Sequence, residues 1–327
     1  MWFETLTGFA EESPDQVREN LAVAGDVITS HVNGKQYTYG DLETPTLAEL
    51  RSCLQLVTAQ RSPTTIREVV ADVQQLHTDE QNAGALFQVA SQFNLLEMLS
   101  PSVTPECGVG IYANDRTQGP ACAIAGGAGT IYRNYFIPVN GQIGQSEHHQ
   151  IDCLKDLGEA LGNSDGRLWK MVNGYALATE EGLAEITDKL RHADEQQRDA
   201  LRDLILVGVQ SNTQVTLSDC RHCVTQVYCS ALPVAYSRVP SAQWAEFAKL
   251  VLEAAYEATI CAAILNTDRP GNNTVFLTLL GGGAFGNEPE WILSAIKRCL
   301  HQYEERGLDI AVVSYRSPQP YLRELIG

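Results

Sequence analysis

Basic side chains are scarce in this chain: 23 Lys and Arg stand against 40 Asp and Glu over 327 residues, a formal charge of −17. Neutralising a phosphate backbone needs a basic footprint, so nucleic acid is excluded as a partner, and an anionic membrane surface is disfavoured for the same reason. Long apolar runs are missing too, none approaching the roughly 20 residues that span a bilayer. The nine cysteines, an odd number, show no disulfide-scaffold spacing. The start, Met1-Trp2-Phe3-Glu4, lacks the basic and then apolar segments of a secretion signal. A reducing, cytoplasmic location is expected from both. What is present is 44% apolar residues beside only 19% charged ones, enough for a large core.

The first eighty residues read as mainly helical. Ser13-Pro14 opens one helix, Thr46-Leu47-Ala48-Glu49 opens another, and Asn33-Gly34 marks a hairpin turn between them. From Ala85 short β-rich runs alternate with long helical patterns, the texture of an α/β layered domain. Leu204–Val209, Val275–Leu280 and Ile310–Tyr315 are apolar throughout, or nearly so, as interior strands covered on both faces are. Between them Thr179–Arg202 reads as a charged surface helix and Trp244–Ile264 as an apolar-striped one. The expected organisation is an N-terminal helical elaboration, 1–84, packed on an α/β core, 85–327.

Two stretches carry chemistry. Leu279-Leu280 runs into Gly281-Gly282-Gly283-Ala284-Phe285-Gly286-Asn287 and then a helix with Trp291. A strand, a glycine loop and a helix start together present free N–H groups to a phosphate or diphosphate. The loop is neither a Walker A motif, having no following Lys-Ser or Lys-Thr, nor a dinucleotide fingerprint, lying near the C-terminus. Phe285 is placed to cover a ribose or to plug the loop from behind, and Asn287 to cap the helix or reach phosphate. The second stretch, Phe87–Tyr135, sets Ser91, Gln92 and Asn94 in a strand-like run, where unpaired polar groups are costly, and adds the acids Glu97, Glu106 and Asp115. Three carboxylates in one loop-rich stretch can supply an acid, a base, or charge against a developing oxocarbenium ion. Tyr315, ending the last apolar strand, is a candidate to stack on adenine or ribose, or a rim tyrosine. Cys220-Arg221-His222-Cys223 lacks a second pair and His148-His149 reads as a solvated loop, so no metal is expected.

In this order the two stretches resemble the macrodomain superfamily, in particular its poly(ADP-ribose) glycohydrolase-like branch. The resemblance implies a three-layer α/β/α mixed sheet, a diphosphate on Gly281–Asn287 and a ribose on Asn94. Thr117-Gln118-Gly119-Pro120 replaces the branch's Gln-Glu-Glu element, so the usual catalytic glutamate is missing. That departure, with Tyr132-Arg133-Asn134-Tyr135 and Tyr256-Glu257-Ala258-Thr259, resembles a divergent group, including a Legionella effector, that removes ADP-ribose from arginine. On that reading Asp115 and Glu106 orient water or the guanidinium, and Glu97 holds a ribose hydroxyl or the leaving group. Gln118 belongs to the catalytic set and Thr117 to the ligand contacts. Gly25-Asp26-Val27 looks like the Gly-Asp-Ile element that contacts adenine in typical macrodomains, but lies about 70 residues too early for a strand-turn-strand entry.

The function expected is therefore a metal- and cofactor-independent hydrolase acting on ADP-ribosylated arginine in proteins, with ADP-ribose as product. A non-catalytic ADP-ribose reader and a hydrolase of small ADP-ribose derivatives are the alternatives.

Overall fold

The computed structural model of the chain describes residues 1–57, 62–267 and 272–326. The chain opens with α1 (Trp2–Thr7), α2 (Pro14–Asn20) and a small antiparallel sheet of β1 (Leu21–Ala24), β2 (Val27–Ser30) and β3 (Gln36–Thr38). Ser13 caps α2 through the Gln16 N–H with Pro14 in the first turn, and Asn33-Gly34 lies in the β2–β3 connection.

Seven strands build the central sheet: β4 (Asp41–Glu43), β5 (Thr65–Val70), β6 (Leu86–Ala90), β11 (Gly208–Gln214), β12 (Cys223–Cys229), β13 (Thr274–Leu277) and β14 (Asp309–Ser314). Their order is β4-β11-β12-β6-β13-β14-β5. The five strands from β12 to β5 run parallel, while β11 pairs antiparallel with both β12 and β4. Two small hairpins, β7 (Pro138–Val139) with β8 (Gln142–Ile143) and β9 (Trp169–Val172) with β10 (Tyr175–Ala178), lie outside it.

The helices are α3 (Leu47–Leu54), α4 (Val73–Thr78), α5 (Gln118–Ala125), α6 (Gly127–Tyr135), α7 (Lys155–Leu161), α8 (Glu180–His192), α9 (Glu195–Arg202), α10 (Ser241–Thr267), α11 (Pro289–Gln302) and α12 (Arg323–Ile326). Successive strand residues face opposite sides of a sheet. Phe87 stacks on His77 of α4, whereas Gln88 bonds Thr259 of α10, so α4 and α10 cover opposite faces. α5 and α6 join α4, and α3, α8, α9 and α11 gather round α10. The result is the expected three-layer α/β/α arrangement. No helix among the described residues is long and apolar enough to cross a membrane.

The first 84 residues do more than pack on the core. Among the described residues they carry four helices and five strands, and β4 and β5 form both edges of the central sheet. Edge strands are half solvated, so β5 carries Arg67 and Glu68 between Ile66 and Val69, and β4 is three residues long. Neither leaves the continuous apolar run of an interior strand. The run Leu204–Val209 mostly precedes its strand, with Leu206 making an isolated bridge to Thr46. Thr179–Arg202 is two helices, divided where Asp194 forms a capping box with Gln197. Behind α10, Glu257 is fully buried and pairs with Arg51 of α3 and Arg298 of α11. Arg51 also holds Asp199 of α9 at 2.9 Å. This network ties the outer helical layer together, on the side away from the strand ends.

His77 is the titratable group on which the other layer depends. Its Nδ1–H donates to Val73 O at 2.8 Å, and its Nε2 accepts from Gln226 at 3.1 Å. Burial leaves no room for a second proton and pushes its pKa down to about 4 from 6.5. The unfolded chain takes up that proton below pH 6.5 and the folded chain does not, so stability falls as pH drops from 6.5 towards 4. The loss is about 3 kcal/mol. Urea titrations at a series of pH values should show it, and His77→Gln should flatten that part of the profile. An unchanged slope in the variant would contradict the assignment.

Candidate functional site

β13 pairs with β6 only at Leu86 and Phe87, while β12 follows β6 as far as Ala90. The sheet therefore splits beyond Phe87, at the carboxyl ends of its parallel strands, where ligand crevices of α/β folds form. Ser91 N bonds Cys229 O on the β12 side, so by alternation Gln88 O and Ala90 N face the split. Both are taken up by one side chain. Gln118 donates from Nε2 to Gln88 O at 2.8 Å and accepts from Ala90 N at 3.0 Å. Its amide stands in for the missing strand and fixes the first turn of α5 at the edge of the cleft. Gln118 is a latch with no hydrogen-bonding atom left for chemistry, since its third contact is Cys122 Sγ.

The cleft holds two adjoining cavities. The smaller, about 190 Å³, is lined by Ser91, Glu97, Asp115, Gly119, Tyr175, Tyr236 and the loop around Gly283, among others. The larger, about 700 Å³, shares Asp115, Thr117, Gln118 and Gly283 with it and extends to Asp72, Arg116 and Tyr315.

Glu97 dominates the smaller cavity. It is 2% exposed, its Oε1 is buried without a hydrogen-bond partner, and its backbone N–H donates to Tyr112 Oη at 3.0 Å. A Cβ at Gly119 would lie 2.3 Å from Glu97 Oε2 and 1.9 Å from Ala90 O, so only glycine lets α5 approach this closely. Burial pushes the Glu97 carboxyl well above the ordinary carboxylate range; the nearby Arg133 offsets part of this, and Asp115 adds to it. Arg133 makes no ion pair among the described residues. Its guanidinium is spent on Leu95 O, Gln210 Oε1, Thr130 Oγ1 and the face of Tyr228, 3.6 Å from the ring centroid. Burial thus favours the protonated form of Glu97, the form a general acid requires, and leaves its Oε1 without a partner.

The opposite wall is the glycine loop. Tyr256 Oη accepts from Leu280 N and donates to Thr278 O, bracing the loop where it leaves β13. Gly281 has φ +72°, and a Cβ there would meet that of Ala231 at 2.4 Å. Among the described residues no acceptor takes the N–H of Gly283, Ala284 or Phe285. All three residues line the cleft, and such a run of free amides is an anion cradle. Phe285 packs with Tyr175 and Tyr236, ring centroids 5.2 to 5.6 Å apart.

Several expected residues lie elsewhere. Asn94 is outside both linings: its Oδ1 accepts from Leu96 N and its Nδ2 donates to Gln150, fastening a turn in which Leu95 has φ 63°. Glu106 is exposed and accepts from Glu147 N at 2.9 Å, linking two surface loops. Gly282 lies against Ile292 of α11, and Gly286 against Ala235. Asn287 neither caps α11, whose N-cap is Glu288, nor enters the cleft; it bonds Leu232 O at 2.8 Å. With Glu288 and Glu290 at its start, α11 offers an anion no attraction, so the cradle is the loop alone. Glu257 lies in the ion network behind α10. Cys220 and His222 are engaged by Thr78 O and His77 O.

Three cleft residues escaped sequence reasoning. Tyr175 and Tyr236 come from the β9–β10 hairpin and a short turn after β12, with no local signature. Asp72 stands just past β5 in the larger cavity and caps α4 through Gln74 N at 2.8 Å. Ala71-Asp72-Val73 directly follows β5, whereas Gly25-Asp26 lies in the β1–β2 turn; recognising β5 would have drawn attention to Asp72.

No family model matches the chain, and no curated protein matches it. Among solved structures, poly(ADP-ribose) glycohydrolase from Thermomonospora curvata aligns over 95% of this chain and 94% of its own, with TM-score 0.50 and 12% identity. The Deinococcus radiodurans enzyme in complex with ADP-ribose aligns over 87% and 94%, with TM-score 0.48 and 11% identity. The first likeness establishes a shared fold.

The latch and the acid each make a prediction. Gln118→Ala should lose about 2 kcal/mol by orphaning two main-chain groups, and Gln118→Glu more, because a carboxylate oxygen then faces Gln88 O. Chemical denaturation checks both, and equal stability of Glu and Gln at 118 would overturn the latch. For Glu97, whose folded pKa is raised, the folded chain binds the extra proton, so its burial costs more as pH rises above the ordinary glutamate range. Glu97→Gln should match the wild type in Tm near pH 4 and exceed it increasingly towards pH 8.

Proposed function

We propose that the chain is an ADP-ribosyl hydrolase that releases ADP-ribose from modified arginine side chains of proteins. The observation that carries this reading is a neutral buried carboxyl with a free oxygen, Glu97, facing a cradle of three free amides across one cleft. The shared fold of a poly(ADP-ribose) glycohydrolase supports the same class of ligand.

In this reading the diphosphate lies on the N–H groups of Gly283, Ala284 and Phe285, adenosine fills the larger cavity between Asp72 and Tyr315, and the distal ribose meets Glu97. Asp115, whose Oδ1 accepts from Thr117 N at 2.8 Å, projects from the same rim. The bond between the ribose anomeric carbon and the guanidinium nitrogen breaks as Glu97 gives its proton to the departing guanidine. Water adds to that carbon and passes a proton to Asp115, and exchange with solvent restores both carboxyl groups. Among the described residues Arg116 is the one basic side chain in either lining, so a cationic substrate enters a cleft that repels it little. No metal or cofactor enters this scheme.

One observation favours a second reading. Gln118, where related glycohydrolases place their glutamate element, bonds Gln88 O, Ala90 N and Cys122 Sγ instead of facing a ligand, which suits a module that reads ADP-ribose without cleaving it.

Calorimetry with free ADP-ribose and release assays on arginine-, serine- and glutamate-linked ADP-ribosyl proteins separate the two. We expect binding, preferential release from arginine, and in Glu97→Gln unchanged binding with a loss of turnover of about 100-fold or more. Binding without release establishes the reader, and no binding at millimolar ligand overturns both.

A further inference from the structure

The acid is held from a distant part of the chain. Glu11, between α1 and α2, reaches across to the segment before Asp115 and takes three hydrogen bonds on its carboxylate: Val109 N at 2.9 Å, Gly110 N at 2.6 Å and Tyr135 Oη at 2.7 Å. The seat is shaped for it. Gly108 has φ +84°, and Cβ atoms at Gly108 and Gly110 would come within 2.5 and 2.7 Å of Glu11 Oε2. Any larger residue at either position would evict the carboxylate.

What Glu11 grips leads directly to the cleft. Gly110 opens the 3-10 turn Gly110–Asn114, within which Tyr112 is fully buried and accepts the Glu97 N–H, and the turn ends at Asp115. The path runs from a carboxylate in the first dozen residues, through two main-chain amides and one tyrosine, to the backbone of the acid and the root of the cleft's other carboxylate. Nothing on the path is charged apart from Glu11 itself. Charge-assisted bonds to backbone N–H groups are among the stronger ones, and these fix the start of a turn closed by the Tyr112 N–Val109 O and Asp115 N–Tyr112 O bonds.

We propose that Glu11 is a positioning residue for the cleft: by clamping Val109 and Gly110 it sets Tyr112 and, through it, the placement and dryness of Glu97. The N-terminal segment is then part of the working site. This inference rests on the reading of Glu97 as the acid, but its test does not require turnover.

The measurement is the titration of the Glu97 carboxyl carbon by NMR in full-length protein with labelled glutamate, assigned by its loss in Glu97→Gln. Around that carboxyl lie Arg133, Asp115, Tyr112, Tyr175, Cys122 and Tyr228, all unchanged in Glu11→Gln. Replacing one carboxylate oxygen by an amide sets N–H against N–H in the seat. In Glu11→Gln the Glu97 resonance should titrate at lower pH than in wild type, as water reaches the loosened carboxyl. Tyr112→Phe, which cuts the path without touching Glu11, should move it the same way and serves if Glu11→Gln does not fold. If turnover is present, both variants should lower kcat about 10-fold with KM for substrate changed less than 2-fold, since the cradle on the opposite wall is untouched. A Glu97 titration that stays at its wild-type position in a folded variant overturns the inference, whatever the activity. A shifted titration in a protein that binds ADP-ribose without releasing it upholds the clamp and rejects the hydrolase.

Discussion

Everything at the site follows from β13 leaving β6 two residues after they meet. A parallel strand that loses its neighbour exposes main-chain donors and acceptors in the middle of a sheet, and such groups must be paired. Here the amide side chain of Gln118 pairs them, and that choice places the first turn of α5 beside the split. Gly119 then has to be glycine, because Ala90 O and Glu97 Oε2 occupy the space of a side chain. On the other side Gln88 extends its own amide to Thr278 N and Thr259 Oγ1, fixing where β13 ends and the glycine loop begins. One break in one ladder thus sets the positions of the acid, the helix start and the anion cradle.

The parts of the site that could be read in the sequence were those written in consecutive residues. Gly281–Asn287 after an apolar run announces an anion loop because strand, glycines and helix follow one another. Even there the actors differ from the expectation: the three middle amides are free, while Gly282, Gly286 and Asn287 serve as packing. Asn94 and Glu106 looked functional because polar and acidic residues near an expected strand end are costly or reactive, yet Asn94 is taken up by Leu96 N and Gln150, and Glu106, exposed, accepts from Glu147 N. Sequence gives the type of a group and not its partners. Asp72 was missed because β5 is an edge strand whose apolar run is broken by Arg67 and Glu68, one exposed and paired with Asp309, the other bonded by Ser314 and Gln319 N. Glu97 was identified, but its burial, which raises its carboxyl well above the ordinary range, depends on Gly119 and Tyr112 meeting it in space.

An excess of 17 negative charges is compatible with an anion cradle here because the cleft's donors are backbone dipoles, fixed in direction and needing no counter-ion. The Glu97 carboxyl beside them has its proton favoured by burial rather than by pairing. Arg133, the buried cation nearest to that acid, is turned to carbonyl, amide and hydroxyl oxygens and to the ring of Tyr228, so it softens the cost of Glu97 without ionising it. Were Arg133 to form an ion pair with Glu97, the carboxylate would be favoured over the acid, and the cleft would hold a negative charge opposite the free amides of Gly283, Ala284 and Phe285. The three hydrogen bonds that keep Arg133 turned away therefore bear on the state of the Glu97 carboxyl, and Leu95 O, the first of them, belongs to the turn in which Asn94 bonds Leu96 N and Leu95 has positive φ.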